Sequence, residues 1–205
     1  MRRANFDVGA VHFLVVEDSL PVALACQRTL VRLGKVTLAD GVASAGRIVA
    51  TTRLTGLVTD VSLPDGSGFS VAKDARDKAP GLPILIISGA VDHGRLEAAH
   101  ELGAMYLLKP LQSGQLTMFG ERAIARQRRA ALLLQRWVVR YNLFAAEAVT
   151  LRMALDGLKR EEIARVRGVS ANTVKNQVSK LLPKLGVGDL AEAIAAFYQE
   201  LSLLE

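Results

Sequence analysis

Apolar residues in the first half of the chain fall in short runs separated by amphipathic stretches. Residues 11–16 (VHFLVV) form one such run, short enough for a buried strand and closed by Glu17 and Asp18. Ser19 offers a helix N-cap, Pro21 is tolerated in a first turn, and Gly34 is expected to end the helix. Residues 35–39 read as a second strand, 44–52 as a helix, and 57–59 as a third strand ending at Asp60. Residues 63–68 (LPDGSG) are dense in turn formers. A helix over 69–78, a strand over 84–87 ending at Ser88, a helix over 93–102 and a strand over 105–108 before Lys109-Pro110 complete the series. Alternation of this kind predicts a five-stranded parallel sheet, doubly wound, with helices on both faces.

From Ser113 the pattern changes and no strand-like segment returns. Residues 113–141 can form nearly continuous helix, lined by Arg122, Arg126, Arg128, Arg129, Arg136 and Arg140, with Trp137 and Tyr141 on one face. Four short helices are expected after Asn142. Within them, residues 161–167 form a helix that Gly168 ends, and Ser170 can cap a second helix from Ala171. Val174, Val178, Leu181, Leu182 and Leu185 share its inner face, while Lys175, Asn176, Ser179 and Lys180 lie outside that stripe. This is the layout of a helix-turn-helix, with Ala164 small enough for close helix approach. Pro183 is expected to kink or end the second helix. Three regions follow: an α/β domain over 1–120, a helical linker over 121–141, and an all-α domain over 142–205.

Charge sharpens the division. The chain carries a formal +6, yet residues 1–120 hold 12 Lys and Arg against 11 Asp and Glu, whereas residues 121–205 hold 14 against 9. A basic excess confined to the second half points to a polyanion, nucleic acid first. The single Cys26 lies in an apolar helical stretch and suits a reducing compartment. No apolar run approaches the ~20 residues of a membrane span, and residues 1–7 lack the apolar core of a signal peptide. A cytoplasmic protein with no membrane partner is expected.

The candidate chemistry lies at the strand ends. Glu17, Asp18 and Asp60 can ligate Mg²⁺, which takes a few carboxylates and completes its shell with water and phosphate oxygens. Asp60 can then act as nucleophile toward a phosphoryl group, Lys109 can pair with the incoming anion, and Ser88 can donate to a phosphoryl oxygen. An aspartate-nucleophile phosphatase would need a second acid two residues after Asp60, where Ser62 stands. No phosphate-binding glycine loop with its lysine is present, so an enzyme is not expected.

Residues 11–120 resemble a bacterial response-regulator receiver domain of flavodoxin-like fold. The resemblance runs through Glu17-Asp18, the Asp60 to Gly68 loop, Ser88-Gly89-Ala90 and the segment from Gly103 to Pro110. It implies Asp60 as phosphoacceptor, Glu17, Asp18, Asp60 and the Ser62 backbone carbonyl as metal ligands, and Lys109 as the phosphate's partner. It further implies a cis Lys109-Pro110 bond and a switch pair of Ser88 and Tyr106. Residues 142–198 resemble the LuxR-type DNA-binding domain of the NarL/FixJ class, through Glu147, Gly157-Leu158, Glu162-Ile163-Ala164, Gly168-Val169-Ser170, Thr173-Val174-Lys175 and Lys184-Leu185-Gly186-Val187. That resemblance implies that Lys175, Asn176 and Ser179 face base edges of double-stranded DNA, with Thr173, Lys180 and Lys184 nearer the phosphates. A sensor histidine kinase is expected as phosphodonor, with a homodimer through the last helix (190–201) when phosphorylated or DNA-bound and RNA polymerase as a candidate further partner. Three features depart from the family pattern, Pro183 late in the second helix among them. Phe144-Ala145-Ala146 replaces its usual Thr/Ser-x-Arg start, so the helix is expected either to be capped by Asn142 or to merge with the linker, and Arg167 stands at a usually apolar position, with Val166 expected to fill in. A helix-turn-helix that docks a protein instead of DNA is the alternative.

Overall fold

The computed structural model describes residues 9–90 and 92–204. The reading of residues 1–7 lies outside the described residues. In chain order the first part runs β1 (His12–Val16), α1 (Leu20–Leu30), β2 (Lys35–Ala39), α2 (Val42–Thr51), β3 (Gly56–Asp60), the short strands β4 (Ser62–Leu63) and β5 (Gly66–Ser67), α3 (Gly68–Lys78), β6 (Ile84–Ser88), α4 (His93–Glu101) and β7 (Met105–Leu108). A long helix α5 (Ser113–Arg140) leads to α6 (Ala145–Leu155), α7 (Arg160–Arg167), α8 (Ala171–Leu185) and α9 (Leu190–Ser202).

Five strands form one parallel sheet in the order β2-β1-β3-β6-β7, while β4 and β5 pair antiparallel within the turn-rich segment. The strands are apolar on both faces because helices cover both. Phe13, Val15, Val58, Leu85 and Ile87 meet Cys26 and Leu30 of α1 and Leu116, Phe119 and Ala123 of α5. Leu14, Leu57 and Ile86 alternate with them and are fully buried on the opposite face, where α2 and α3 approach. Each such side chain contributes about 1.5–3 kcal/mol by leaving water. Burial pushes the Cys26 thiol up to about 11, with the Glu17 charge adding to it, so this cysteine is an inert core group.

Two helices differ from the sequence pattern for long-range reasons. α1 ends at Leu30, four residues before Gly34. A Cβ on Gly34 would fall 2.5 Å from the Val11 side chain, so this glycine serves a close approach to the start of β1. α2 begins at Val42, two residues earlier than expected, because Asp65 caps it across the fold. Its Oδ1 accepts from the Val42 N–H at 2.7 Å and its Oδ2 from the Ala43 N–H at 2.9 Å. These two acceptors satisfy two of the N–H groups that a helix start leaves open.

Two compact units divide inside α5: Gly9–Lys78 with Leu82–Ala125, and Ala79–Gly81 with the chain from Arg126 onward. In the second, Leu133, Leu134 and Trp137 of α5 join Leu143, Leu151, Leu181 and Phe197 in one core. The stretch read as a linker, residues 121–141, therefore supplies core side chains. Trp137 stands edge-to-face with Tyr141 at 5.3 Å and with Phe197 at 5.2 Å, and its Nε1–H donates to Glu200 Oε2 at 2.9 Å. Ala154, Ile163, Ala164 and Val174 form a smaller cluster where α6, α7 and α8 meet. Pro183 does not end α8, which continues to Leu185 and closes on Gly186 in the left-handed region at φ 72°. Proline in a last turn removes one backbone donor without stopping the chain from reaching its glycine cap.

Asp65→Ala should lower the urea midpoint of unfolding at pH 7. Hydrogen bonds from the Ala43 and Val42 N–H groups hold the Asp65 carboxyl below its usual range. The stabilisation is therefore present above the unfolded value and lost as pH falls through the folded one. The gap between wild type and variant should close in acid; equal midpoints at pH 7 would refute the cap.

Candidate functional site

Parallel register brings the polar strand ends to one edge. Val16 pairs with Thr59, Asp60 with Ile87, and Ser88 with Leu108, so Glu17, Asp60, Ser88 and Lys109 leave the sheet together. Oxygens of Glu17, Asp18 and Asp60 lie within 4.8 Å of one another, the one such acidic, His or Cys group among the described residues. Glu17 is 3% exposed and Asp60 7%, while Asp18 faces solvent. Lys109 Nζ stands 2.7 Å from Glu17 Oε2 and 2.9 Å from Asp60 Oδ2. Its own N–H donates to the Ser88 carbonyl at 2.7 Å, and the Lys109-Pro110 peptide is cis.

Burial raises the Glu17 carboxyl above its ordinary value; the Lys109 ammonium pulls it back, and the Asp60 charge pushes it up again. Burial disfavours the charged Lys109, yet the hydrogen bonds and charges of Glu17 and Asp60 outweigh it and raise this group above its usual value. Lys109 is therefore a fixed cation at neutral pH. The cluster holds more negative than positive charge in a poorly hydrated place, and a further cation or an altered partner for Lys109 would relieve it.

The loop after β3 is held by backbone contacts. The Gly68 N–H donates to the Val61 carbonyl at 3.0 Å, and Thr59 Oγ1 donates to the Asp60 carbonyl at 3.1 Å. A Cβ on Gly68 would fall 1.8 Å from the Asp60 carbonyl oxygen, so only glycine fits beside it. Ser62, two residues beyond Asp60, lies in β4 with its side chain exposed.

Ser88 and Tyr106 meet at one acceptor. Ser88 Oγ donates to the Ala90 carbonyl at 3.0 Å, and the Tyr106 hydroxyl donates to the same oxygen at 3.3 Å. Ser88 is buried and Tyr106 half-buried.

In the second unit, Ser170 caps α8 by accepting from the Thr173 N–H at 3.0 Å, and Gly168 turns the chain at φ 63°. Val174 and Leu181 are fully buried, while Lys175, Asn176, Ser179 and Lys180 are exposed on the other side. Thr173 is half-buried, its hydroxyl 2.8 Å from that of Ser170. Lys184, expected nearer the phosphates, is turned inward. Its Nζ pairs with Glu147 Oε2 at 2.6 Å, donates to the Asn142 carbonyl at 3.1 Å and lies 4.1 Å over the Phe144 ring. The reason is Glu147, a buried carboxylate that needs a cation beside it. Asn142, at φ 48°, is not the cap of α6; Phe144 is, its N–H donating to Glu147 Oε2 at 2.8 Å.

Sequence reasoning missed Asp65 as a helix cap, the Glu147–Lys184 pair, and a polar contact of Arg167 with Thr150 and Gln177. Only Arg167 gave a signal, as a charge where an apolar residue was expected. Val166 does not fill in for it, being 63% exposed.

Removing the Lys109 charge should raise the Glu17 carboxyl further, since only the Ser19 N–H then opposes burial and the Asp60 charge. Side-chain carboxyl NMR on Lys109→Met should show Glu17 titrating at higher pH than in wild type. A group raised on folding contributes stability at low pH that is lost as pH rises through its folded value, so the variant should also lose urea resistance over that rise. An unmoved Glu17 would refute the coupling.

Comparison with known proteins agrees with this geometry. Residues 13–119 match the model of the response regulator receiver domain, and residues 144–197 match that of the bacterial regulatory proteins of the luxR family. The chain is 30% identical over 176 residues to the DNA-binding transcriptional activator DevR/DosR of Mycobacterium tuberculosis, covering 80% of this chain and 81% of that protein. It resembles the receiver protein of Sinorhizobium medicae at a TM-score of 0.52 and 28% identity, over 59% of this chain and 99% of that one. Full-length FixJ from B. japonicum shares the fold at a TM-score of 0.50 and 24% identity, over 95% and 98% of the two chains. No helix among the described residues is long and apolar enough to cross a membrane. With a receiver domain followed by a LuxR-type DNA-binding domain, the chain belongs to the response regulators of the NarL/FixJ class, which are transcriptional regulators of two-component systems and not enzymes.

Proposed function

We propose that Asp60 accepts a phosphoryl group from a sensor histidine kinase and that this event controls DNA reading by α8. The observation that carries the proposal is the Lys109 ammonium between Glu17 and Asp60, with Asp18 alongside, at the carboxyl edge of the sheet. The donor set fits a hard divalent cation: three carboxylates close together, two of them buried and Glu17 raised by that burial. Glu17, Asp18, Asp60 and the Ser62 backbone carbonyl would hold Mg²⁺, which supplies charge neutralisation for the incoming phosphoryl oxygens. An Asp60 carboxylate oxygen attacks phosphorus, a P–O bond forms, and the bond to the donor histidine nitrogen breaks with its electron pair leaving on nitrogen. Lys109, already charged and within reach of Asp60, turns from the carboxylate to the phosphoryl oxygens.

Ser88 reports the change. When its hydroxyl donates to a phosphoryl oxygen, the Ala90 carbonyl loses one of its two donors and Tyr106 remains its partner. The phosphoryl group can bias the two arrangements only by its differential affinity for them. Lys175, Asn176 and Ser179 read base edges in the major groove, with Lys175 the guanine reader, while Thr173 and Lys180 face phosphates. Lys184 holds α8 to α6 through Glu147. The outer side of α9 pairs two copies over two half-sites, since Ala193, Phe197 and Leu201 occupy its inner side. RNA polymerase is the further partner, and a kinase, DNA and polymerase are met together in the cytoplasm.

Phosphodonor labelling tests the first half. Asp60→Asn should take up no phosphoryl group, and chelation of divalent metal should stop uptake by wild type; labelling of Asp60→Asn would sink the assignment. Duplex titration against salt tests the second. Lys175→Ala should lose about 1–3 kcal/mol of discrimination at one base pair, whereas Lys180→Ala should flatten the log-log salt slope by about one, with equal loss on all sequences. Identical behaviour of the two variants would contradict the assigned roles.

A further inference from the structure

Three polar side chains meet where α6, α7 and α8 converge. Thr150 of α6 is fully buried, Arg167 ends α7, and Gln177 lies on α8 beside Asn176. Thr150 Oγ1 donates to Gln177 Oε1 at 2.7 Å. Arg167 Nη1 donates to Thr150 Oγ1 at 2.7 Å and also to Gln177 Oε1. The circuit is closed: the threonine hydroxyl gives one hydrogen bond and takes one, and the amide oxygen accepts two.

The place of this circuit gives it a consequence. Gln177 follows Lys175 and Asn176 directly, and successive helical residues are about 100° apart around the axis. Whatever fixes Gln177 against α6 and α7 also fixes where Asn176, about 100° around the axis, and Lys175, about 200° around it, point. The apolar anchors Val174 and Leu181 hold α8 down, but aliphatic contacts are non-directional. Hydrogen bonds weaken steeply with misalignment, so the circuit resists rotation and axial slip that the apolar contacts permit. Arg167 is its bridging member, the one side chain that donates to both others.

We propose that Arg167 is a positioning residue for DNA reading, setting through Gln177 Oε1 the rotation of α8 about its axis. Base contacts require that rotation to be held; phosphate contacts from flexible lysines do not. The inference rests on the reading of α8 as the DNA-facing helix.

The test uses the full chain as wild type, Arg167→Ala, Thr150→Val and the double variant. Selection from random duplexes first yields the sequence that wild type prefers, and affinities for that duplex and a scrambled one are then measured across salt. Arg167→Ala and Thr150→Val should each lower the preferred-to-scrambled ratio by on the order of tenfold, with scrambled affinity and salt slope unchanged. The double variant should lose no more than one single variant, because both act through the same circuit. A folded Arg167→Ala, checked by far-UV circular dichroism, with an unchanged ratio overturns the proposal. Equal loss on both duplexes with the slope reduced by about one also overturns it, since Arg167 would then touch phosphate itself. If Arg167→Ala does not fold, Thr150→Val decides, because it removes a hydroxyl and leaves the charge. A wild type without any preferred duplex would sink the DNA-facing reading itself, a result distinct from a preference that the variants retain.

Discussion

One ammonium between two poorly hydrated carboxylates governs the first unit. Lys109 reaches Glu17 and Asp60 only because β1, β3 and β7 run parallel and end at one edge. Placing these charges together out of water is costly, and breaking such an arrangement leaves an uncompensated charge behind. The pairing therefore holds the acids in place without neutralising them all. Burial keeps Glu17 raised above its ordinary value despite Lys109. A phosphate-receiving centre needs that condition: acids gathered tightly enough to take a cation, and a lysine free to change partners.

The DNA-binding unit uses buried polar groups for a different end. Its apolar cores hold four helices and the last turns of α5 together, and charged and amide groups pair between the helices beside them. Glu147 draws Lys184 inward, which ties the end of α8 to the start of α6. Thr150, Arg167 and Gln177 tie its middle to α6 and α7. What remains outward on α8 is a polar and basic face with its side chains exposed. Internal polar pairing and an exposed basic face are two sides of one helix.

Much of this was legible in the chain. The five strands show as short apolar runs because a parallel sheet buries both faces, and their polar terminators gather at one edge of it. The helix-turn-helix showed in the spacing of Val174, Val178 and Leu181 around Gly168 and Ser170. Helix boundaries were less legible wherever a distant residue set them. α2 starts at Val42 because Asp65, over twenty positions later, caps it, and local pattern holds no trace of that bond. Pro183 looked like a stop, yet the glycine after Leu185 sets the end of α8.

Sequence alone determined which elements form and which chemical groups end them, because hydrophobic period and turn chemistry act over a few residues. Tertiary structure alone decided partners: Lys109 with both Glu17 and Asp60, Lys184 with Glu147, Arg167 with Thr150 and Gln177. The reason is range. A charge or hydroxyl in a linear chain carries no mark of which distant group will share its burial, and only the folded packing, by excluding water from both, makes one of them need the other.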